Sequence, residues 1–179
     1  MLCLRGMDAA ALEIRPAVPE DAAALADTSL LGFETYRSWA DEAWRPPPRS
    51  LTVYSVRDRL RRPETWCVLA VEPDGGTPGH VGLTQAVDRE RPHASLAGWA
   101  HLWALFVRPD WWGTGLAARL HALALETAAG RGYASMRLYT PYRAARARAF
   151  YEREGWTVAS RAFAEPMLGL DLVEYRRSL

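Results

Sequence analysis

Residues 105–117 read Leu-Phe-Val-Arg-Pro-Asp-Trp-Trp-Gly-Thr-Gly-Leu-Ala, and the fold is decided there. An apolar run stops at the turn residues Pro109 and Asp110. Gly113 and Gly115 then open a helix that continues through Leu120 and Leu123. A strand, a glycine turn and a helix N-terminus make an anion site. The first-turn N–H groups have no partner inside the helix, and they sit at the positive end of its dipole. Glycine removes the Cβ atoms that would hold a ligand away from the backbone.

Outward from that turn, the sequence predicts four helices and six to seven strands. Ala11 to Ala17 is a short strand. Pro19-Glu20-Asp21 starts a helix running through Leu25, Leu30 and Phe33, with proline and acids in its first turn. Trp39 to Arg49 is broken by Pro46-Pro47-Pro48 and cannot be regular helix. Val53 to Arg62 is a second helix, stopped by Pro63. Thr65–Val71, His80–Val87 and Ala97–Val107 are three strands joined by short turns, an antiparallel meander. The last of them is nearly all apolar, as for a strand buried on both faces. A helix to about Ala129 presents Leu116, Leu120, Leu123 and Ala124 on one side and ends at Gly130 and Gly132. Tyr133–Tyr139 is a fifth strand and Arg143–Glu154 a fourth helix. Trp156–Ala159 and Leu168–Arg176 close the chain as an antiparallel pair. The order is β-α-α-β-β-β-α-β-α-β-β, an α/β (α+β) class with a mixed, mostly antiparallel central sheet. Residues 1–10 are expected to be a flexible N-terminus, with Met7 a candidate start, and 11–179 a single domain.

The composition bounds the function. With 49% hydrophobic and 24% charged residues over 179 positions, the chain suits one soluble domain with a full core. No apolar run approaches a membrane span or a signal-peptide core. A net charge of +1 argues against general nucleic-acid binding. Cys3 and Cys67 are too few for a disulfide framework, and His80 and His121 have no partner at metal spacing, so no metal is expected and a reducing cytoplasm is. The chain has no lysine and no asparagine, and Ile14 is its only isoleucine, as in a bacterial-like, GC-rich coding sequence.

The missing lysine also bears on the anion site. A phosphate-loop nucleotidase needs a lysine after its last glycine, so that reading is out. The dinucleotide fingerprint is matched loosely by Gly113-x-Gly115-x-x-Ala118. It also calls for an acid at the end of the next strand, and Tyr133–Tyr139 contains none.

The stretch Trp112-Gly113-Thr114-Gly115-Leu116-Ala117 resembles the Gln/Arg-x-x-Gly-x-Gly/Ala signature of the GNAT family of acetyl-CoA-dependent N-acetyltransferases. Ala147-Arg-Ala-Phe-Tyr-Glu-Arg-Glu-Gly-Trp156 resembles that family's later aromatic-Tyr-Glu-x-x-Gly-aromatic helix. The resemblance runs from about Ile14 to Tyr175. There are two departures: Trp112 stands where the family has Gln or Arg, and Ala144 where it often has Asn.

The resemblance implies a single-domain GNAT fold and acetyl-CoA as co-substrate. Acetyl would pass to a primary amine of a small molecule or peptide, by direct attack in a ternary complex. It implies that the backbones of Leu105, Phe106 and Val107 hold the pantetheine arm and that Tyr151 protonates the leaving thiolate. His101, the one titratable residue of the long strand, is the expected base, with His93, Asp88 and Glu90 as rivals. Arg146, with Arg143 and Arg148 nearby, would meet the 3′-phosphate. Phe33, Tyr36 and Trp39, with Trp44 and the acids Glu34, Asp41 and Glu42, would receive a cationic amine. Homodimers are common in the family. The competing reading is a non-catalytic acyl-CoA-binding or regulatory module on the same fold.

Overall fold

The computed structural model describes residues 8–179. Residues 1–7, most of the segment expected to be flexible, lie outside the described residues. The first described element is a 3₁₀ turn over Ala9–Ala11, capped by the Asp8 carboxylate, with Ala9 buried.

Eight strands form one sheet: β1 (Glu13–Pro16), β2 (Trp66–Val71), β3 (Gly79–Val87), β4 (Ser95–Val107), β5 (Ser135–Pro141), β6 (Thr157–Val158), β7 (Phe163–Glu165) and β8 (Leu170–Ser178). Their spatial order is β1-β2-β3-β4-β5-β8-β6, with β7 also paired to β8. Every pairing is antiparallel except β4 with β5. The four α-helices are α1 (Ala22–Glu34), α2 (Arg49–Leu60), α3 (Leu116–Gly130) and α4 (Ala145–Arg153). The expected order therefore holds with one addition, the three-residue strand β7.

One core lies between the sheet and α3. There Leu116, Leu120, Ala124 and Ala128 pack on Val81, Leu83, Leu102 and Met136. Leu123 is only half-buried, and His121 takes the buried place beside Leu120. A smaller cluster under α1 and α2 joins Leu25, Val56, Cys67 and Leu69. The long strand β4 is not buried on both faces as its composition suggested. Ala100 and Leu102 are buried, while Trp99, His101 and Trp103 on the other face are only partly covered. The cover there includes the long side chain of Arg59 on α2, whose guanidinium lies 5.0 Å from the centre of the Trp103 ring.

Two irregularities in β4 shape the molecule. Gly82 pairs with Ala104 and Leu83 with Leu102, so Trp103 is an extra residue, a β-bulge that bends the strand. The Trp103 ring lies against Gly82, where an added Cβ would stand 2.4 Å from it. Secondly, β4 and β5 pair only from Trp99↔Ser135 to Leu102↔Leu138, although β4 runs on to Val107 and β5 to Pro141. Beyond the bulge the two parallel strands splay apart.

Candidate active site

The splay opens into a cleft of about 850 Å³ walled by the end of β4, the glycine turn, the start of α3, the length of α4 and the C-terminal end of α1 with the turn after it. Its main-chain donors follow from sheet geometry. The Arg108 N–H donates to the Pro78 carbonyl at 2.8 Å, so Arg108 and Phe106 face β3. Leu105 and Val107 therefore turn their backbone groups to the gap. The Val107 carbonyl is taken by the Trp112 indole N–H at 3.0 Å, leaving the Leu105 groups and the Val107 N–H toward the cleft. Of the three backbones expected to hold the pantetheine arm, Phe106 is the exception. Its ring, not its main chain, lines the cleft, seated against Gly32, where a Cβ would come within 2.8 Å of it.

The glycine turn has the geometry its sequence implies. Gly113 and Gly115 have φ of +82° and +88°, the left-handed region that excludes most side chains, and nothing lies within 4 Å of where their Cβ atoms would be. Ala117 and Ala118, at the start of α3, have N–H groups with no acceptor inside the helix, and both line the cleft. Thr114 does not line it; its hydroxyl donates to the Trp111 carbonyl at 2.8 Å and fixes the turn from behind. The turn is anchored below by Glu72, which accepts from Arg108 at 2.6 Å and from the Trp111 indole at 3.2 Å.

Opposite stands α4. Arg143, Arg146 and Arg153 line the cleft, and none of the three has a carboxylate within ion-pair distance among the described residues. No Asp or Glu among the described residues lines the cleft. Arg148 faces elsewhere, donating to the Tyr175 hydroxyl and the Tyr142 carbonyl. A cleft with unpaired guanidiniums, free helix N–H groups and no carboxylate suits a phosphorylated ligand.

Tyr151 is buried at the inner end of the cleft, its ring packed by Phe150, Trp156 and Tyr175 at centroid distances of 5.4, 5.9 and 6.2 Å. Burial, and secondarily Tyr36 nearby, push its phenol well above the usual tyrosine value. Tyr36, on the α1 side, is pushed up to about 12 by burial. Both therefore carry their protons at neutral pH.

His101 does not line this cleft. It sits on β4 before the splay, opposite Arg137, with its ring 5.1 Å from that of Tyr139 and its Nδ1 buried without a partner. Burial, with Arg137 and Arg59 nearby, lowers its pKa to about 3. The rivals His93, Asp88 and Glu90 do not line the cleft either.

On the α1 side, Tyr36 and Trp39 line the cleft and their rings lie 4.8 Å apart. Phe33 stands behind them, edge-on to Tyr36 and Phe106. Trp44 is buried, with its indole N–H donating to the Leu168 carbonyl at 2.8 Å. Glu34 is turned outward onto Arg37. Asp41 borders a smaller neighbouring pocket that shares Trp39 and Arg143 with the cleft.

A model of the acetyltransferase (GNAT) family matches residues 33–156, more than half of the chain. The chain belongs to the GNAT family. It is thereby an acyltransferase by family, and solved structures share the fold. An acetyltransferase from Thermus thermophilus is 21% identical with a TM-score of 0.68, over 97% of this chain and 100% of that one. A GNAT acetyltransferase from Staphylococcus aureus is 16% identical with a TM-score of 0.70, covering 94% and 99%. The PaiA N-acetyltransferase from Thermoplasma acidophilum, solved in complex with coenzyme A, is 17% identical with a TM-score of 0.66, covering 94% and 99%. No curated protein matches the chain. Among the described residues, no helix is long and apolar enough to cross a membrane, and no three His, Cys, Asp or Glu side chains are grouped to hold a metal ion.

The sequence reading missed Gly32, which admits the Phe106 ring, and Arg153, the third cleft arginine. Arg153 lies two residues after Tyr151 in the motif quoted for the resemblance, so its position was available. Gly32 sits inside a helix, where nothing local signals a cross-chain contact.

Proposed function

We propose that this protein transfers the acetyl group of acetyl-CoA to a primary amine of a small molecule or peptide, by direct attack with both substrates bound. The observation that carries the reading is the splay of β4 from β5, which opens a carboxylate-free, arginine-walled cleft from the glycine turn to Tyr151. The diphosphate lies on the N–H groups at the start of α3, and the pantetheine arm runs along Leu105 and Val107. The thioester then reaches Tyr151.

The neutral amine attacks the thioester carbonyl, forming the C–N bond. A main-chain N–H of Leu105 or Val107 faces the oxygen on which charge develops. As the C–S bond breaks, Tyr151 gives its proton to the departing sulfur; the amine's extra proton leaves to solvent, and Tyr151 takes one back from solvent. The Tyr151 phenol lines the cleft as a proton donor, and no Asp, Glu or His of the described residues lines the cleft to act as a base. The acceptor enters past Tyr36 and Trp39, whose faces suit a cationic group.

The test is acetyl transfer measured across an amine panel for wild type and Tyr151→Phe, alongside calorimetry with CoA. The proposal expects CoA binding in both, with turnover falling roughly a hundredfold or more in the variant. CoA binding with no amine acetylated would instead establish the non-catalytic acyl-CoA-binding module. Absence of CoA binding would overturn both.

A further inference from the structure

The residue that departs from the family signature, Trp112, has a defined place. Its indole N–H is tied to the Val107 carbonyl at 3.0 Å, which pins the ring beside the glycine turn. Over that ring, 4.2 Å from its centroid, sits the guanidinium of Arg146 from the first turn of α4. The contact crosses the cleft mouth, joining the turn before α3 to the helix opposite. Arg146 has no carboxylate partner among the described residues, and no acid lines the cleft to draw it elsewhere. A guanidinium resting on an aromatic face keeps its in-plane N–H groups free, and those are the groups that grip a phosphate oxygen.

Resting on the acetyl-CoA reading above, we propose that Trp112 is a positioning residue that aims Arg146 at the diphosphate of the cofactor. The arginine on α4 thereby takes the part of the Gln or Arg side chain that the family signature carries in the turn itself. The indole contributes twice. Its N–H fixes the platform to β4, and its face holds the cation at the glycine turn in the same cleft that Ala117 and Ala118 line. The diphosphate is the chosen ligand because the guanidinium is held at the glycine turn, whose other donors are all backbone N–H groups. This differs from the 3′-phosphate contact that the sequence suggested for Arg146.

The experiment is a double-mutant cycle on Trp112→Ala and Arg146→Ala, reading KM and kcat with acetyl-CoA and with 3′-dephospho-acetyl-CoA. Each single change is expected to raise KM for acetyl-CoA roughly twofold to thirtyfold with kcat unchanged. The double variant should be no weaker than the worse single one, because both changes remove the same interaction. Trp112→Phe, which keeps the ring and drops the pinning N–H, should fall between wild type and Trp112→Ala. The same ratios should appear with the dephospho cofactor. Independent, multiplying effects would overturn the positioning role, and effects that vanish with the dephospho cofactor would move Arg146 to the 3′-phosphate. If acetyl-CoA binds and both residues are silent, this inference fails while the acetyl-transfer reading stands. If acetyl-CoA does not bind, both fail.

Discussion

Gly115 and Gly75 make a matched pair. Their φ angles are +88° and +89°, and an added Cβ at either position meets nothing within 4 Å. Alanine at either site therefore brings no clash. Its cost is the left-handed backbone alone, about 1–2 kcal/mol. For a domain of this size that lowers Tm by roughly 2–8 °C, and the two variants should drop alike. They differ in what the open space is for. Gly75 belongs to the β2–β3 turn and lies outside the cleft, whereas Gly115 lines the cleft at the start of α3. A methyl group there stands where the diphosphate must approach. Removing one charge-assisted hydrogen bond of about 1.5–3 kcal/mol weakens CoA binding roughly tenfold to a hundredfold. The assay is calorimetric titration with CoA beside thermal melts of both variants. Equal melts, with CoA affinity reduced only in Gly115→Ala, are the expected result. Wild-type CoA affinity in Gly115→Ala would refute the placement of the diphosphate, and unequal melts would refute the argument that the cost lies in the backbone.

Three further outcomes are expected. His101→Gln should leave kcat within about threefold of wild type, because its ring lies outside the cleft; a fall of general-base size, roughly a hundredfold, would reinstate it. With no Asp, Glu or His of the described residues in the cleft wall, kcat/KM should rise with pH along the ionisation of the acceptor amine. The profile should then move when one amine is exchanged for another; an ionisation near pH 6–7 common to every amine would point to an enzyme base. Stability should fall on acidification, because His80, His101 and His121 have their pKa values lowered to about 3, about 3 and about 4, mainly by burial. The unfolded chain takes up those protons below about pH 6.5 and the folded chain does not, so their stabilisation is complete above pH 6.5 and is lost as pH falls toward 4. For three such groups the slope near pH 5 is about 3.8 kcal/mol per pH unit, measured by denaturant titration across pH. His121→Gln keeps an acceptor for the Trp156 indole N–H, bonded at 2.9 Å in the wild type, and should lower that slope by about a third.

Much of the fold was legible because its signals are local. Prolines and glycines mark the ends of α1, α3 and α4, and the meander strands carry their own turns. The boundaries that shifted did so for traceable reasons. Helix α2 begins at Arg49 rather than Val53 because Pro48, unable to lie within a helix, serves well as its N-cap with φ −55°. Strand β7 has three residues and pairs only with β8, too short for a periodic pattern. At the site, the glycine turn and Tyr151 were readable because backbone need and motif coincide. The bulge at Trp103 was not, since it depends on how β3 and β4 count against each other. That His101 lies outside the cleft wall was not readable, because alternation along β4 says which residues share a face and not how far the cleft extends. The role of Trp112 needed α4 opposite it, a contact between residues 112 and 146 that no local pattern encodes.

A crystal structure of the protein grown with CoA tests most directly whether the splay of β4 and β5 holds acetyl-CoA with its thioester at Tyr151. The diphosphate should lie over Gly113–Ala117 and the pantetheine along Leu105 and Val107, with the sulfur within about 3.5 Å of the Tyr151 hydroxyl. CoA bound outside the cleft, or with its sulfur turned away from Tyr151, would contradict it.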